Sequence, residues 1–316
     1  MRHLYFCACA ENGGIYHYTL EKEMLSFGEK VELDKPMYLA IEGEKAYVIL
    51  KETDRETKFG SAMSFDIDEK GRLVNPTGKI SSMGIVPCHL SVVDGNVYTV
   101  NYLSGNVVRL PDTVATHSGK GPHPTRQTEA HTHFVAPTPD GKYILCTDLG
   151  IDSIFTYTRD LKQVSVAKVP DGYGARHLAF SEDGELVYCV NELVSSVSVF
   201  RYDNGRLDYL ETYECLPDFK GQNTAAAIRI EGKYLYISNR GADTVARCEI
   251  QGEGLCLIEN TPCGGRNPRD FLIVDGLMLC TNEFTNDVTV LKLVDGKPVL
   301  TDTRLYMPNP LCVVAK

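Results

Sequence analysis

Histidine, arginine and glutamate return at matching places along this 316-residue chain. Apolar runs begin at Cys88-His89, His133, Arg176-His177 and Arg269, and other runs end at Lys51, Tyr102, Asp148, Glu192, Arg240 and Glu283. The side chains are chemically complementary. Arginine offers phosphate or carboxylate a planar fork of donors, histidine titrates near neutrality, and glutamate can hold an imidazole or act on a water. A site that binds an anion and moves a proton needs all three. One charged residue at a strand end is ordinarily just solvated, and Asn101, Asn191, Asn239 and Asn282 are of the type that bonds turn backbone. Recurrence at equal positions is what points to a shared pocket.

The elements that carry these residues must themselves repeat, and they do. MYLAIEGEKAYVIL, CHLSVVDGNVYTVNY, HFVAPTPDGKYILCTDL, RHLAFSEDGELVYCVNE, AAIRIEGKYLYISNR and RDFLIVDGLMLCTNE share one form. Each is an alternating apolar run, an acidic-Gly turn and a second β-branched or aromatic run. Asp94-Gly95, Asp140-Gly141, Asp183-Gly184 and Asp275-Gly276 predict type I′ hairpins, with Glu231-Gly232 a weaker version. A third run follows each (NVVRL, SIFTYT, SVSVFRY, TVARCEI, DVTVLKL), and further turns at Glu69-Lys70-Gly71, Asp203-Asn204-Gly205 and Asp295-Gly296 lead into a more polar fourth.

First strands placed at Pro36, Pro87, His133, Arg176, Ala225, Arg269 and Pro310 are 51, 46, 43, 49, 44 and 41 residues apart, the period of a propeller blade. The chain ends on a lone strand, PLCVVAK, and starts on LYFCACAENGGIYHYTL, which lacks a first strand. The expected fold is all-β: a seven-bladed β-propeller of four-stranded antiparallel blades, one domain over residues 1–316, closed by the C-terminal strand joining the N-terminal blade. Closure removes the exposed edges of an open array. Residues 111–132, PDTVATHSGKGPHPTRQTEAHT, carry no strand pattern, and a loop of that length is more often functional than idle.

Composition narrows the partners. Lys+Arg number 32 against 42 Asp+Glu, a net charge of −10 that repels phosphate backbones, so nucleic acid is not expected. No apolar run approaches the roughly 20 residues of a spanning helix, and MRHLYFCACAENGG turns polar too soon for a signal peptide. A cytoplasmic protein without a membrane partner is expected, as a monomer or small homo-oligomer. The 11 cysteines are odd in number, form no Cys-x-x-Cys pair and sit in runs such as YILCT and LVYCV, as buried reduced thiols do. Cys7-x-Cys9 supplies only two of the four ligands of a closed zinc site. Neither metal nor cofactor is expected.

HTHFVAPTPDGKYILCTDLGIDSIFTYTRD, GYGARHLAFSEDGELVYCVNELVSSVSVF and SNRGADTV resemble the lactonase family of seven-bladed propellers, with LYFCACAENGGIYHYTL, VPCHLSVVDGNVYTVNYLSGNV and GGRNPRDFLI extending the likeness over nearly the whole chain. That family includes propeller-type 6-phosphogluconolactonases and fungal 3-carboxy-cis,cis-muconate cyclising enzymes. The resemblance implies a site of Arg176, Glu192, Arg240 and a histidine of the His131-Thr132-His133 segment. His133 is favoured because it begins a strand aligned with Arg176, and His131 is a neighbour that could hold substrate. Arg269, His89 and His177 are further substrate-binding candidates, although strict alternation would turn His177 away from a pocket that Arg176 faces.

The implied activity is hydrolysis of an anionic sugar lactone, 6-phospho-glucono-1,5-lactone to 6-phosphogluconate in the pentose phosphate pathway. Either His133 or Glu192 is the base, and Arg176 and Arg240 are the anion and oxyanion partners. The same residue types suit a carboxymuconate cycloisomerase, and a propeller can also be a non-catalytic binding scaffold. Two segments depart from the family pattern: LKETDRETKFGS after the second strand of one unit, and NTAAAIRI at the start of another.

Overall fold

The computed structural model describes residues 1–51 and 56–316, so part of the departure after Leu50 lies outside the described residues. Seven antiparallel sheets follow one another along the chain. The first blade runs outward as Pro310–Ala315, Arg2–Ala8, Gly14–Glu21 and Met24–Glu32, so the two ends of the chain share one sheet, with Leu4 opposite Ala315 and Cys7 opposite Cys312. The other first strands are Pro36–Glu42, Pro87–Val93, Thr132–Pro137, Ala175–Phe180, Thr224–Glu231 and Pro268–Val274. Each touches the first strand of the next blade, and Pro310–Ala315 touches both Pro268–Val274 and Pro36–Glu42. The cycle therefore closes around an axis.

The apolar alternation read from the sequence is buried between blades. Leu145, Ile154, Val187 and Phe200 meet fully buried between the fourth and fifth, each worth about 1.5–3 kcal/mol on removal from water. Second-strand tyrosines fasten neighbours as well: Tyr5, Tyr98 and Tyr236 donate their hydroxyls to the carbonyls of Gly71, Arg159 and Gly296 in adjoining blades at 2.7, 2.8 and 2.6 Å. A buried phenol needs such a partner.

Asp94-Gly95 and Asp275-Gly276 both adopt positive φ across the pair, as two-residue type I′ turns require. Asp140-Gly141 and Asp183-Gly184 depart from that expectation, since only the glycines are left-handed and the strands end at Pro137 and Phe180, resuming at Tyr143 and Leu186. Here the aspartate closes a longer loop. Asp140 Oδ1 accepts from the Thr138 hydroxyl at 2.6 Å and the Lys142 amide at 3.1 Å, and Asp183 does the same for Ser181 and Glu185.

Two further expectations are corrected. The segment 111–132 does contain a strand, Thr113–Thr116, the outermost of the third blade. The second blade has five strands, because Phe59–Ile67 pairs with both Leu73–Val74 and Ile80–Ile85. Asn75-Pro76-Thr77 interrupts the outer strand there: proline has no amide to donate, and Thr77 bonds Ser64 through backbone and hydroxyl.

Candidate active site at the axial end of the strands

Each first strand is bulged near its start, where the register to the second strand slips. A bulge adds a residue that the partner does not match. The added residues are Met37, Cys88, His133, Arg176, Arg269 and Leu311 in six blades, and the Ala226-Ala227 pair in the remaining one. All six single residues line one small axial cavity, joined by Tyr38, His177 and Asp270.

The bulge also breaks alternation, so Arg176 and His177 both face the axis, against the expectation that His177 turns away. Its ring lies 5.3 Å from those of His133 and His89. His89 is packed between Tyr38 and Phe134 at 4.2 and 4.3 Å. Both therefore belong to a packed layer beneath His133. Burial first, then the Arg176 charge for His133 and His177 and the Arg229 charge for His89, holds all three imidazoles well below their ordinary range. They are neutral at pH 7. His133 Nδ1 and His177 Nδ1 are buried without a partner.

One residue beyond the corner of each second strand (Ala8, Leu50, Asn101, Asp148, Asn191, Asn239 and Asn282) stands the other ring: Cys9, Lys51, Tyr102, Leu149, Glu192, Arg240, which is still within its strand, and Glu283. Leu149 takes the place expected for Asp148. Asp148 instead pairs with Thr132 at the corner position that Asn101, Asn191, Asn239 and Asn282 hold in other blades. Its Oδ1 accepts the amides of His131 and Gly150 at 2.8 and 3.0 Å, and its Oδ2 lies 2.7 Å from His117 Nδ1. Asp148 is a fully buried tie.

Glu192, 3% exposed, is the centre of the ring. Its Oε2 accepts from Arg176 Nε at 2.8 Å and pairs with Arg240 Nη2 at 3.0 Å, while Oε1 takes Arg126 Nη2 at 2.5 Å. Arg176 Nη1 also donates to the Ala226 carbonyl at 2.7 Å and Arg240 Nη2 to that of Ala225 at 3.0 Å. Burial opposes charge on Glu192, but the charges of Arg240, Arg176 and Arg126 together hold its carboxyl well below the usual range. Burial and the neighbouring arginines pull Arg176 and Arg240 down, and Glu192 opposes that pull. Arg240 Nε is buried with no partner.

Around this floor, His131 stacks on Tyr102 at 4.3 Å and donates through Nδ1 to the Tyr102 carbonyl at 3.0 Å. Arg269 reaches Glu283 at 3.6 Å. A cavity of about 460 Å³ opens over it, lined by His123, Arg126, Arg240 and Arg266 with Asp243, Asn223, Thr224, Asn267, Leu193 and Phe284 among others. Among the described residues no group of three or more His, Cys, Asp and Glu is placed to hold a metal ion.

Residues 3–315 match the family described as Lactonase, 7-bladed beta-propeller. The chain belongs to the seven-bladed propeller lactonase family. A Staphylococcus epidermidis protein of no assigned activity is 33% identical, with 95% of each chain covered, and a Staphylococcus aureus one is 32% identical, with 96% of each covered. Among solved structures, a Bacteroides fragilis protein provisionally assigned as a 6-phosphogluconolactonase superimposes with a TM-score of 0.90 at 28% identity, over 100% of this chain and 98% of its own. A Lactobacillus plantarum protein gives 0.91 at 28%, over the whole of both chains.

In this lactonase-family chain, Arg176, Glu192, Arg240 and His133 are brought together at one end of the axis. His131 and Arg269 lie beside them, while His89 and His177 lie in the layer below. Sequence reasoning missed Arg126. It sits in the connection 117–131, which has no repeat partner, so equal-position comparison is blind to it. That connection is tied down by His117 between Asp148 and Tyr157, by Gln127 on the Leu149 carbonyl and Asp152, and by Thr132 on the carbonyls of Asn101 and Asn106. Its unusual length was the one available signal.

Proposed function

We propose that the chain hydrolyses an anionic sugar lactone at the Glu192 floor, 6-phospho-glucono-1,5-lactone to 6-phosphogluconate. The observation that carries this reading is one carboxylate shared by three arginines, two of which, Arg126 and Arg240, line a 460 Å³ cavity, in a chain of net charge −10. Three guanidinium charges against one carboxylate leave a local excess of positive charge. An anionic substrate matches it.

Both Glu192 oxygens are taken by arginine, so Glu192 orders the cluster and is poorly placed to accept a proton. His133 is the better base: it is neutral, so one ring nitrogen carries a lone pair that can accept a proton. A water gives its proton to His133 as its oxygen attacks C1. The carbonyl oxygen becomes an oxyanion, and Arg240, which lines the cavity, donates to it. Collapse breaks the bond from C1 to the ring oxygen, which takes the proton back from His133. The product is the open hydroxy acid.

The test is the rate of 6-phosphogluconolactone hydrolysis above its spontaneous background for the wild type, Glu192→Gln and Arg240→Ala. Wild-type acceleration that falls by about 100-fold or more in either variant supports the reading. A well-folded wild type that gives no acceleration removes this substrate and leaves other lactones, muconates or a binding role.

A further inference from the structure

The donors that Glu192 and the backbone do not consume lie on the cavity wall. Arg126 spends Nη2 on Glu192, with the Tyr102 hydroxyl 3.4 Å away, and is 35% exposed to the cavity. No hydrogen bond engages its Nε or Nη1 among the described residues. Arg266 also lines the cavity and makes no side-chain hydrogen bond or ion pair among them. His123 Nδ1 accepts the amide of Arg126 at 3.2 Å, which leaves Nε2 as the ring's N–H donor. Neutral Asn223 and Thr224 stand beside them, and the acid in the lining, Asp243, has Oδ1 committed to the Asn267 amide at 2.7 Å.

We infer that Arg126 and Arg266, with His123, form a pocket for a phosphomonoester, and that Arg126 sets the preference for a phosphorylated lactone over its unphosphorylated counterpart. This rests on the lactonase reading above. With the lactone carbonyl on the buried floor between His133 and Arg240, the exocyclic C6 phosphate projects along the wall where the uncommitted guanidinium groups stand. A phosphate dianion balances the excess charge and takes charge-assisted contacts from the free donors of Arg126. Arg126 is held for this by its connection: the His123 ring accepts its amide, and the next residue, Gln127, is anchored by its side chain to the Leu149 carbonyl and Asp152.

The experiment compares kcat/KM for 6-phosphogluconolactone and glucono-1,5-lactone in the wild type, Arg126→Ala, Arg126→Lys and Arg266→Ala, and measures 6-phosphogluconate and inorganic phosphate binding by calorimetry. Loss of one charge-assisted contact predicts a fall of about 10- to 100-fold in the ratio of the two kcat/KM values for Arg126→Ala, carried mainly by KM. Arg126→Lys recovers part of it, and Arg266→Ala, which does not touch Glu192, moves the ratio the same way. Equal losses on both lactones would overturn the inference, because Arg126 would then act only through Glu192. If the wild type accelerates neither lactone, the lactonase reading fails, and calorimetry still decides the pocket: binding of 6-phosphogluconate weakened in both alanine variants upholds it, and binding that is absent or unchanged in them refutes it.

Discussion

Glu192 holds three arginines with two oxygens, and its worth is electrostatic. Removing it leaves Arg176 and Arg240 buried and uncompensated, so Glu192→Ala should cost about 3–5 kcal/mol in urea unfolding. Its carboxyl is depressed in the fold, so its stabilisation is complete above the unfolded value of about 4.3 and is lost as pH falls below that through the folded one. Glu192→Ala should therefore flatten the acid limb of the stability profile below about pH 4. Arg176→Lys is not conservative here, since one ammonium cannot serve both Glu192 and the Ala226 carbonyl in the guanidinium geometry. For His133 as base, a folded value below 6.5 places the acid limb of kcat below pH 6.5, and His133→Gln should remove that limb with most of the rate. A limb at or above pH 6.5 would point to another base.

At the level of elements, the bulges and the 117–131 connection assemble the site. His117 lies between Asp148 and Tyr157 at 2.7 and 2.6 Å, so His117→Ala strands two buried polar groups. A cost of about 1–3 kcal/mol for each unsatisfied group is expected in thermal or urea unfolding, together with faster hydrogen exchange across 117–131. The repeat, the seven blades and the closing strand are legible in the sequence, because period-two alternation and Asp-Gly turns are local signals. The rings at strand ends are legible in outline too, which is how Arg176, Glu192 and Arg240 are found. Bulges are not, since an extra residue looks like any other until the partner strand shows what it fails to match. That is why His177 is expected to face away, whereas Asp148 is placed one position off only because a charged residue stands at the corner that asparagine holds in VYCVNE and LMLCTNE. Arg126 is illegible for a different reason: nothing repeats at its position.

For the whole molecule, one closed ring ties the site to the ends of the chain. The strand Pro310–Ala315 carries Leu311 into the axial cavity and completes the first blade, so a chain ending at residue 309 should expose an unpaired edge at Arg2–Ala8 and aggregate or melt early. The axial histidines give the fold a pH dependence. His89, His133 and His177 are kept neutral in the folded state, whereas the unfolded chain takes up their protons below about pH 6.5. Stability should therefore decline as pH falls from 6.5, by up to about 1.4 kcal/mol per pH unit for each imidazole. Replacing His89 by a neutral residue of similar size should reduce that slope.

A crystal structure with the product 6-phosphogluconate tests most directly whether the chemistry belongs to the Glu192 end of the axis. The product carboxylate is predicted within hydrogen-bond distance of Arg240 and beside His133, with its phosphate on Arg126. Product seated at the opposite end of the axis, in the cavity lined by Ile41, Phe180, Arg229 and Ala315, would contradict that assignment, as would occupied crystals in which Arg240 and Arg126 make no contact with it.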